Sequence, residues 1–206
     1  MTQPPTITLH LYLAAAAERG VILRQGPSRH FCMIGWDTQT DSFDIGQWVK
    51  QKIYTERCDI SPDGRHFLYF ILNGKWCTPA QGTHTVISRV PYFSALALYP
   101  QVDTWGGGGF FIDDETYHIE TAAGTKDIIG KAAGLRRVQG DDWPSQSGAK
   151  PIMQDIDGII ARKERYVTEG AKLYRRTADG GRALIRDFAE LHFTSVAAPY
   201  DAGVGA

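Results

Sequence analysis

Short apolar runs rich in β-branched and aromatic residues recur along the whole chain, and each ends in a turn of Gly, Pro, Asn, Asp or Ser. That alternation leaves strands as the dominant element. Residues 6–13 alternate with period two, and the runs 21–23, 30–36 and 42–45 follow, which reads as a first unit of four strands. A second unit starts with a strand over 54–60. It turns at Ser61-Pro62-Asp63-Gly64, continues through the apolar run 66–72, and turns again at Asn73-Gly74 into Lys75-Trp76. A third comprises 85–89, 93–99, 110–112 and 116–119, and a weaker last one comprises 158–161, 171–175, 182–188 and 191–193. Turns near Gln39, Asn73, Asp114 and Asp179 lie 34, 41 and 65 residues apart. The first two spacings, one just short of it and one within it, lie close to the ~40–45 residues of a four-stranded propeller blade. The surplus in the third falls near residues 124–151, where a loop with a short helix around 126–133 is expected as an insertion.

The expected fold is therefore all-β, an antiparallel propeller-like or incomplete propeller domain over residues 1–206, built from about four four-stranded units. With 206 residues the chain is long enough to build its own core without disulfides or metal. Twenty-two Lys and Arg against 23 Asp and Glu give a net charge of −1, which offers no global attraction to nucleic acid or anionic membranes. Cys32, Cys58 and Cys77 lie singly in apolar surroundings without C-x-x-C spacing and read as buried free thiols. The N-terminal segment lacks a basic region, and the apolar stretch 11–17 ends in Glu18-Arg19, so neither a signal peptide nor a membrane span is expected. These features suit a reducing cytoplasm.

The segment 57–69, with Ser61-Pro62-Asp63-Gly64 at its turn, resembles the hairpin of bacterial WD40-like β-propeller repeats. Further matching motifs are Gly26-Pro27-Ser28, Gly46-Gln47-Trp48, Ile87-Ser88-Arg89-Val90-Pro91-Tyr92, Ala95-Leu96-Ala97-Leu98-Tyr99-Pro100 and Asp103-Thr104-Trp105-Gly106-Gly107-Gly108-Gly109-Phe110. Together these are similar to a family of small bacterial propeller-like proteins of uncharacterised function. The likeness covers roughly residues 20–120, with a fainter echo at 172–175 and 197–200. It implies a fold and carries no activity with it. Two departures stand out: Trp36-Asp37 is the one Trp-Asp dipeptide, and 206 residues is short for six or seven blades. An incomplete ring would expose strand edges, along which a second copy could pair.

The run Gly106, Gly107, Gly108 and Gly109 is the least ordinary local feature, since four residues without Cβ cost backbone entropy. It reads either as a tightly packed loop or as a backbone nest for a ligand. Joined with Trp105 as anchor, Arg89 as charged orienter and Tyr92, it is the expected binding site for a protein or peptide partner. The expected function is thus a non-catalytic scaffold with no cofactor, and with no nucleic-acid or membrane partner. The alternatives are an enzyme with an axial pocket of His and carboxylates and a glycan-binding module using exposed Trp. Asp113, Asp114 and His118 supply weak candidates for metal or acid–base chemistry, though the same residues suit a hairpin turn. Asp155 and Asp157 likewise read as a turn. Trp48, Trp105 and Trp143 adjoin loops and are the tryptophans expected to be exposed, while the Arg and Lys pairs read as solvated faces.

Overall fold

Among the described residues, four β-sheets are each made of strands adjacent in sequence. The computed structural model describes residues 6–120, 130–138 and 156–200. The first sheet is an antiparallel meander of β1 (Thr8–Leu13), β2 (Arg19–Gln25), β3 (His30–Asp37) and β4 (Ser42–Lys50). In the second, β5 (Lys52–Ile53) and β6 (Asp59–Ile60) both pair with β7 (His66–Leu72), which is followed by β8 (Thr83–Arg89) and β9 (Ala95–Gln101). The third contains β10 (Gly109–Phe111), β11 (Thr116–Ile119) and β12 (Arg136–Val138), and β12 joins β11 in parallel where every other pairing among the described residues is antiparallel. Helix α1 (Ile156–Lys163) leads into the fourth, made of β13 (Tyr166–Glu169), β14 (Lys172–Arg176) and β15 (Arg182–Asp187).

Period-two geometry explains how these sheets stack. Val21, Leu23, Phe31 and Met33 on one face of the first sheet pack against Phe67, Tyr69, Ile71 and Leu98 of the second. The intervening Ile22, Cys32 and Ile34 point the other way and pack with Leu173 and Phe188 of the fourth sheet. In the second sheet Leu68, Ile87, Ala97 and Tyr99 turn away from the first and meet Phe111, Tyr117 and Ile119 of the third. The spatial order is fourth, first, second, third. Both faces of the two central sheets are covered, which is why their strands are apolar at consecutive positions rather than at alternate ones.

A buried arginine fastens the fourth sheet to the first. Arg24, 2% exposed, donates to the carbonyls of Phe188 (2.9 Å), Gly26 (2.6 Å) and Ala189 (3.3 Å), and its guanidinium lies 5.3 Å from the Trp48 ring centre. Beyond Phe188 the chain returns over the first two sheets as an extended strap. Phe193 meets Trp48, Gln47 Nε2 donates to the Val196 carbonyl at 2.8 Å, and the Tyr200 hydroxyl donates to the Ser94 carbonyl at 2.8 Å.

The all-β, four-unit expectation holds, but the units are phased differently and only the first is a simple four-strand meander. The strands at 83–89 and 95–101 belong to the second sheet, because Asn73-Gly74 opens a wide loop whose amides at 73 and 74 both donate to the Gly82 carbonyl. The expected strand 54–60 is a 3-10 turn at Thr55–Arg57 followed by the two-residue β6. Residues 158–161 lie in α1 instead of a strand, and 191–193 belong to the strap. Within the expected insertion, residues 131–133 form no helix and β12 follows them, while 121–129 and 139–155 lie outside the described residues.

Candidate binding site

The turn Ser61-Pro62-Asp63-Gly64 forms as its residues dictate. Gly64 takes φ +73 and donates to the Ser61 carbonyl, while Ser61 Oγ accepts the amides of Arg65 (3.1 Å) and His66 (2.9 Å). A Cβ on Gly64 would sit 2.6 Å from Arg19 Cβ, so Arg19 of the first sheet lies directly on this turn of the second. A similar contact seats the loop after β8. The Gln47 amide donates to the Pro91 carbonyl at 3.1 Å, and a Cβ on Gly46 would fall 1.9 Å from that oxygen.

Between these two fixed contacts opens a cleft of about 680 Å³. Its walls come from the ends of three strands of the first sheet (Arg19-Gly20, Gly35 to Asp37, Ser42 to Asp44) and from Gly64, Arg65, His66, Arg89, Val90 and Pro91 of the second, with Ala133 at one side. The guanidiniums of Arg19, Arg65 and Arg89 face the carboxylates of Asp37 and the exposed Asp44 there, with Asp63 beside Arg65. Arg65 Nε pairs with Asp63 Oδ2 at 3.4 Å, but the Arg65 side chain is 69% exposed and such a pair contributes little. The Asp37 carboxylate accepts the amides of Thr40 and Gln39, which with Arg19 hold it below the usual carboxylate range. Arg89 forms no ion pair among the described residues, and its guanidinium lies 5.6 Å from the Tyr200 ring centre. His66, directly across the ladder from Arg89, has a buried Nδ1 with no hydrogen-bond partner. Burial, opposed by Asp63 and Asp114 and reinforced by Arg89 and Arg65, pushes the His66 ring below the ordinary histidine range.

The expected partner-binding set is divided by the fold. Arg89 and Tyr92 come together through Tyr200, whose ring meets Tyr92 edge-on at 6.1 Å. Trp105, Gly106, Gly107, Gly108 and Gly109 lie beyond Gln101, which pairs with Thr83 at the other end of β8. Six residues of strand put roughly 20 Å between the two groups. The glycine amides are already used: Asp103 Oδ1 accepts those of Trp105 (2.8 Å) and Gly106 (3.1 Å), the Glu120 carbonyl accepts that of Gly107 (3.0 Å), and Thr85 Oγ1 accepts that of Gly108 (2.9 Å). Close packing accounts for the run, since Cβ atoms at Gly107 and Gly109 would lie 2.4 Å from the Phe70 ring and 2.1 Å from the His118 carbonyl. Trp105 itself is 87% exposed.

Asp113 and Asp114 are engaged in turn contacts. Asp113 Oδ1 accepts the amides of Glu115 (2.8 Å) and Thr116 (2.7 Å), and Asp114 Oδ1 accepts the Asp63 amide (2.7 Å). Burial raises Asp113, but these bonds outweigh it and leave the carboxyl below its usual range. His118 stacks beside Phe110, and burial lowers its pKa. Among the described residues no group of three His, Cys, Asp or Glu side chains could hold a metal. Cys32 is buried and pushed up to about 12 by burial, as a core thiol should be, whereas Cys77 is exposed on the 73–82 loop, contrary to expectation. Trp48 is packed between Arg24 and Phe193, and Trp76 rather than Trp48 is exposed; Trp143 and Asp155 lie outside the described residues. Asp157 lies in α1 and not in a turn. Of the basic pairs, Arg175 grips Asp41 at 2.9 Å and Arg162 donates to the Ala14 and Ala17 carbonyls.

Sequence reasoning missed Arg19, Arg65 and His66. Arg65 and His66 follow the recognised turn, while nothing local marks Arg19, which joins them only because sheets one and two stack. No helix among the described residues is long and apolar enough to cross a membrane. Comparison with family models, with curated proteins and with solved structures gave no match.

Proposed function

We propose that this chain is a propeller-like, non-catalytic binding module that holds a segment of a protein or peptide partner in the cleft between its first and second sheets. The observation that carries this reading is the cleft's construction. Both walls are pinned by backbone-close contacts, Arg19 on Gly64 and Pro91 on Gly46, so the site is preformed and little ordering is needed on binding. Its charged groups are guanidiniums and carboxylates, which orient a ligand, and among the described residues of its walls the one hydroxyl, that of Ser42, sits on an exposed residue. The order fourth, first, second, third follows the chain cyclically and supports the propeller-like arrangement. A second copy pairing along the outer strands would be read as a dimer by light scattering. The glycan reading rests on Trp76 and Trp105 being exposed at the opposite end of the second sheet, and Trp105→Ala on a glycan array tests it.

The cleft itself is tested by Ser42→Trp, which places an indole in it from an exposed position. Peptides selected from a random library on the wild-type chain should lose at least tenfold in affinity for this variant while its melting temperature stays unchanged. Peptides that bind both proteins equally would show that the cleft is not the site.

A further inference from the structure

We infer that the cleft recognises a carboxylate side chain of an acidic peptide segment, with Arg89 as the principal contact and Arg19 and Arg65 on the walls beside it. The inference rests on the module reading above and names the chemistry of the ligand. It starts from the pairing of charges in the cleft, where Arg19, Arg65 and Arg89 meet Asp37 and Asp44, with Asp63 paired to Arg65, and Arg89 is left without an ion pair among the described residues. Asp37 is committed to the amides of Gln39 and Thr40 at 2.9 Å each, so Arg19 gains only partial compensation from it. The Arg65 pair with Asp63 is open to water and exchanges readily. Arg89 is exposed and forms no ion pair among the described residues; its guanidinium is held against the Tyr200 ring.

An arginine stacked on an aromatic ring is partly preorganised, which preserves its fork of donors for a bidentate carboxylate. The ring carries no charge that would compete for the guanidinium. His66, the cross-strand neighbour of Arg89, leaves a buried ring nitrogen unpartnered at the same end of the ladder, so the protein does not satisfy the polar groups there by itself. Cross-strand neighbours lie about 5 Å apart, so one carboxylate over Arg89 also stands beside His66.

The test uses fluorescein-labelled hexaglutamate, hexaglutamine and hexalysine with the full chain at low ionic strength, read by anisotropy. Hexaglutamate should bind at least tenfold more tightly than hexaglutamine, with hexalysine weakest. Arg89→Gln should remove most of that discrimination, and the triple variant Arg19→Gln/Arg65→Gln/Arg89→Gln all of it. Arg29→Gln is the control, because Arg29 is exposed in the turn at the far end of β2 and should leave binding unchanged. Each variant is checked for an unchanged melting temperature, which exposed positions permit. Equal affinity for hexaglutamate and hexaglutamine, or discrimination that survives the triple variant, would overturn the inference. Library peptides that need the open cleft but show no enrichment in Asp or Glu would overturn it too, while leaving the module reading intact. Hexaglutamate binding that survives Ser42→Trp would instead overturn the module reading.

Discussion

Replacing Arg24 with Met tests how the fourth sheet is held to the first. Methionine keeps most of the aliphatic length and removes the charge and every donor. Two short bonds, to the Gly26 carbonyl at 2.6 Å and the Phe188 carbonyl at 2.9 Å, disappear along with the longer one to Ala189. A bond from a charged donor contributes about 1.5–3 kcal/mol, so the gross loss is roughly 3–6 kcal/mol. Against this, the variant no longer buries a cation, which returns part of that loss. The carbonyls stay buried and unpaired, so the net destabilisation should be about 2–4 kcal/mol, which for a chain of this size lowers the melting temperature by about 6–12 °C. Urea unfolding gives the free energy, and amide hydrogen exchange locates the effect, which should be faster opening of β13 to β15 than of β7 to β9. Arg65→Met, on an exposed side chain, should change stability by no more than about 0.5 kcal/mol. If Arg24→Met is as stable as the wild type, or opens all four sheets equally, the clasp reasoning is wrong.

Two further outcomes follow from the same packing. Gly109→Ala would force a Cβ to 2.1 Å from the His118 carbonyl at φ +152 and should cost more than about 3 kcal/mol, whereas Gly106→Ala meets nothing within 4 Å and should be close to neutral by thermal unfolding. Burial holds His84 down at about 4 against an ordinary 6.5, the Ala80 backbone opposing, so the unfolded chain takes up a proton between those values that the folded chain refuses. Stability from this group is therefore complete above pH 6.5 and declines as pH falls toward 4, by about 3 kcal/mol in all. The difference in unfolding free energy between wild type and His84→Gln, followed from pH 7 to 4, should narrow by that amount, and a constant difference would refute the assignment.

Element type was legible where local chemistry decides it. The Ser61-Pro62-Asp63-Gly64 turn closes with the bonds its residues offer, and runs such as His66–Leu72 became strands. Partner choice was not legible, because period two says which face a residue takes and nothing about which strand lies beside it. The residues of β8 and β9 were placed in the wrong unit for that reason. Residues 158–161 are too few for periodicity to separate a strand from a helical turn, and the helix prevailed. The glycine run stood out as unusual, and its cause is the Phe70 ring from a strand distant in sequence together with the His118 carbonyl of the adjoining hairpin strand. The cleft depends on two sheets meeting, so Arg89 was found by its motif while Arg19 had no signal of its own.

The spatial order of the sheets also sets a timetable for synthesis. The strands β1 to β4 leave the ribosome first, yet the face bearing Leu11, Ile22 and Ile34 waits for Leu173 and Phe188, which emerge about 120 residues or more after β4 is complete. At ~5–20 residues per second that is on the order of ten seconds with a wide apolar surface uncovered. During this interval the nascent chain is a natural substrate for holding chaperones. Its yield in a cell should therefore depend on how fast residues 166–188 are translated as well as on the stability of the finished protein.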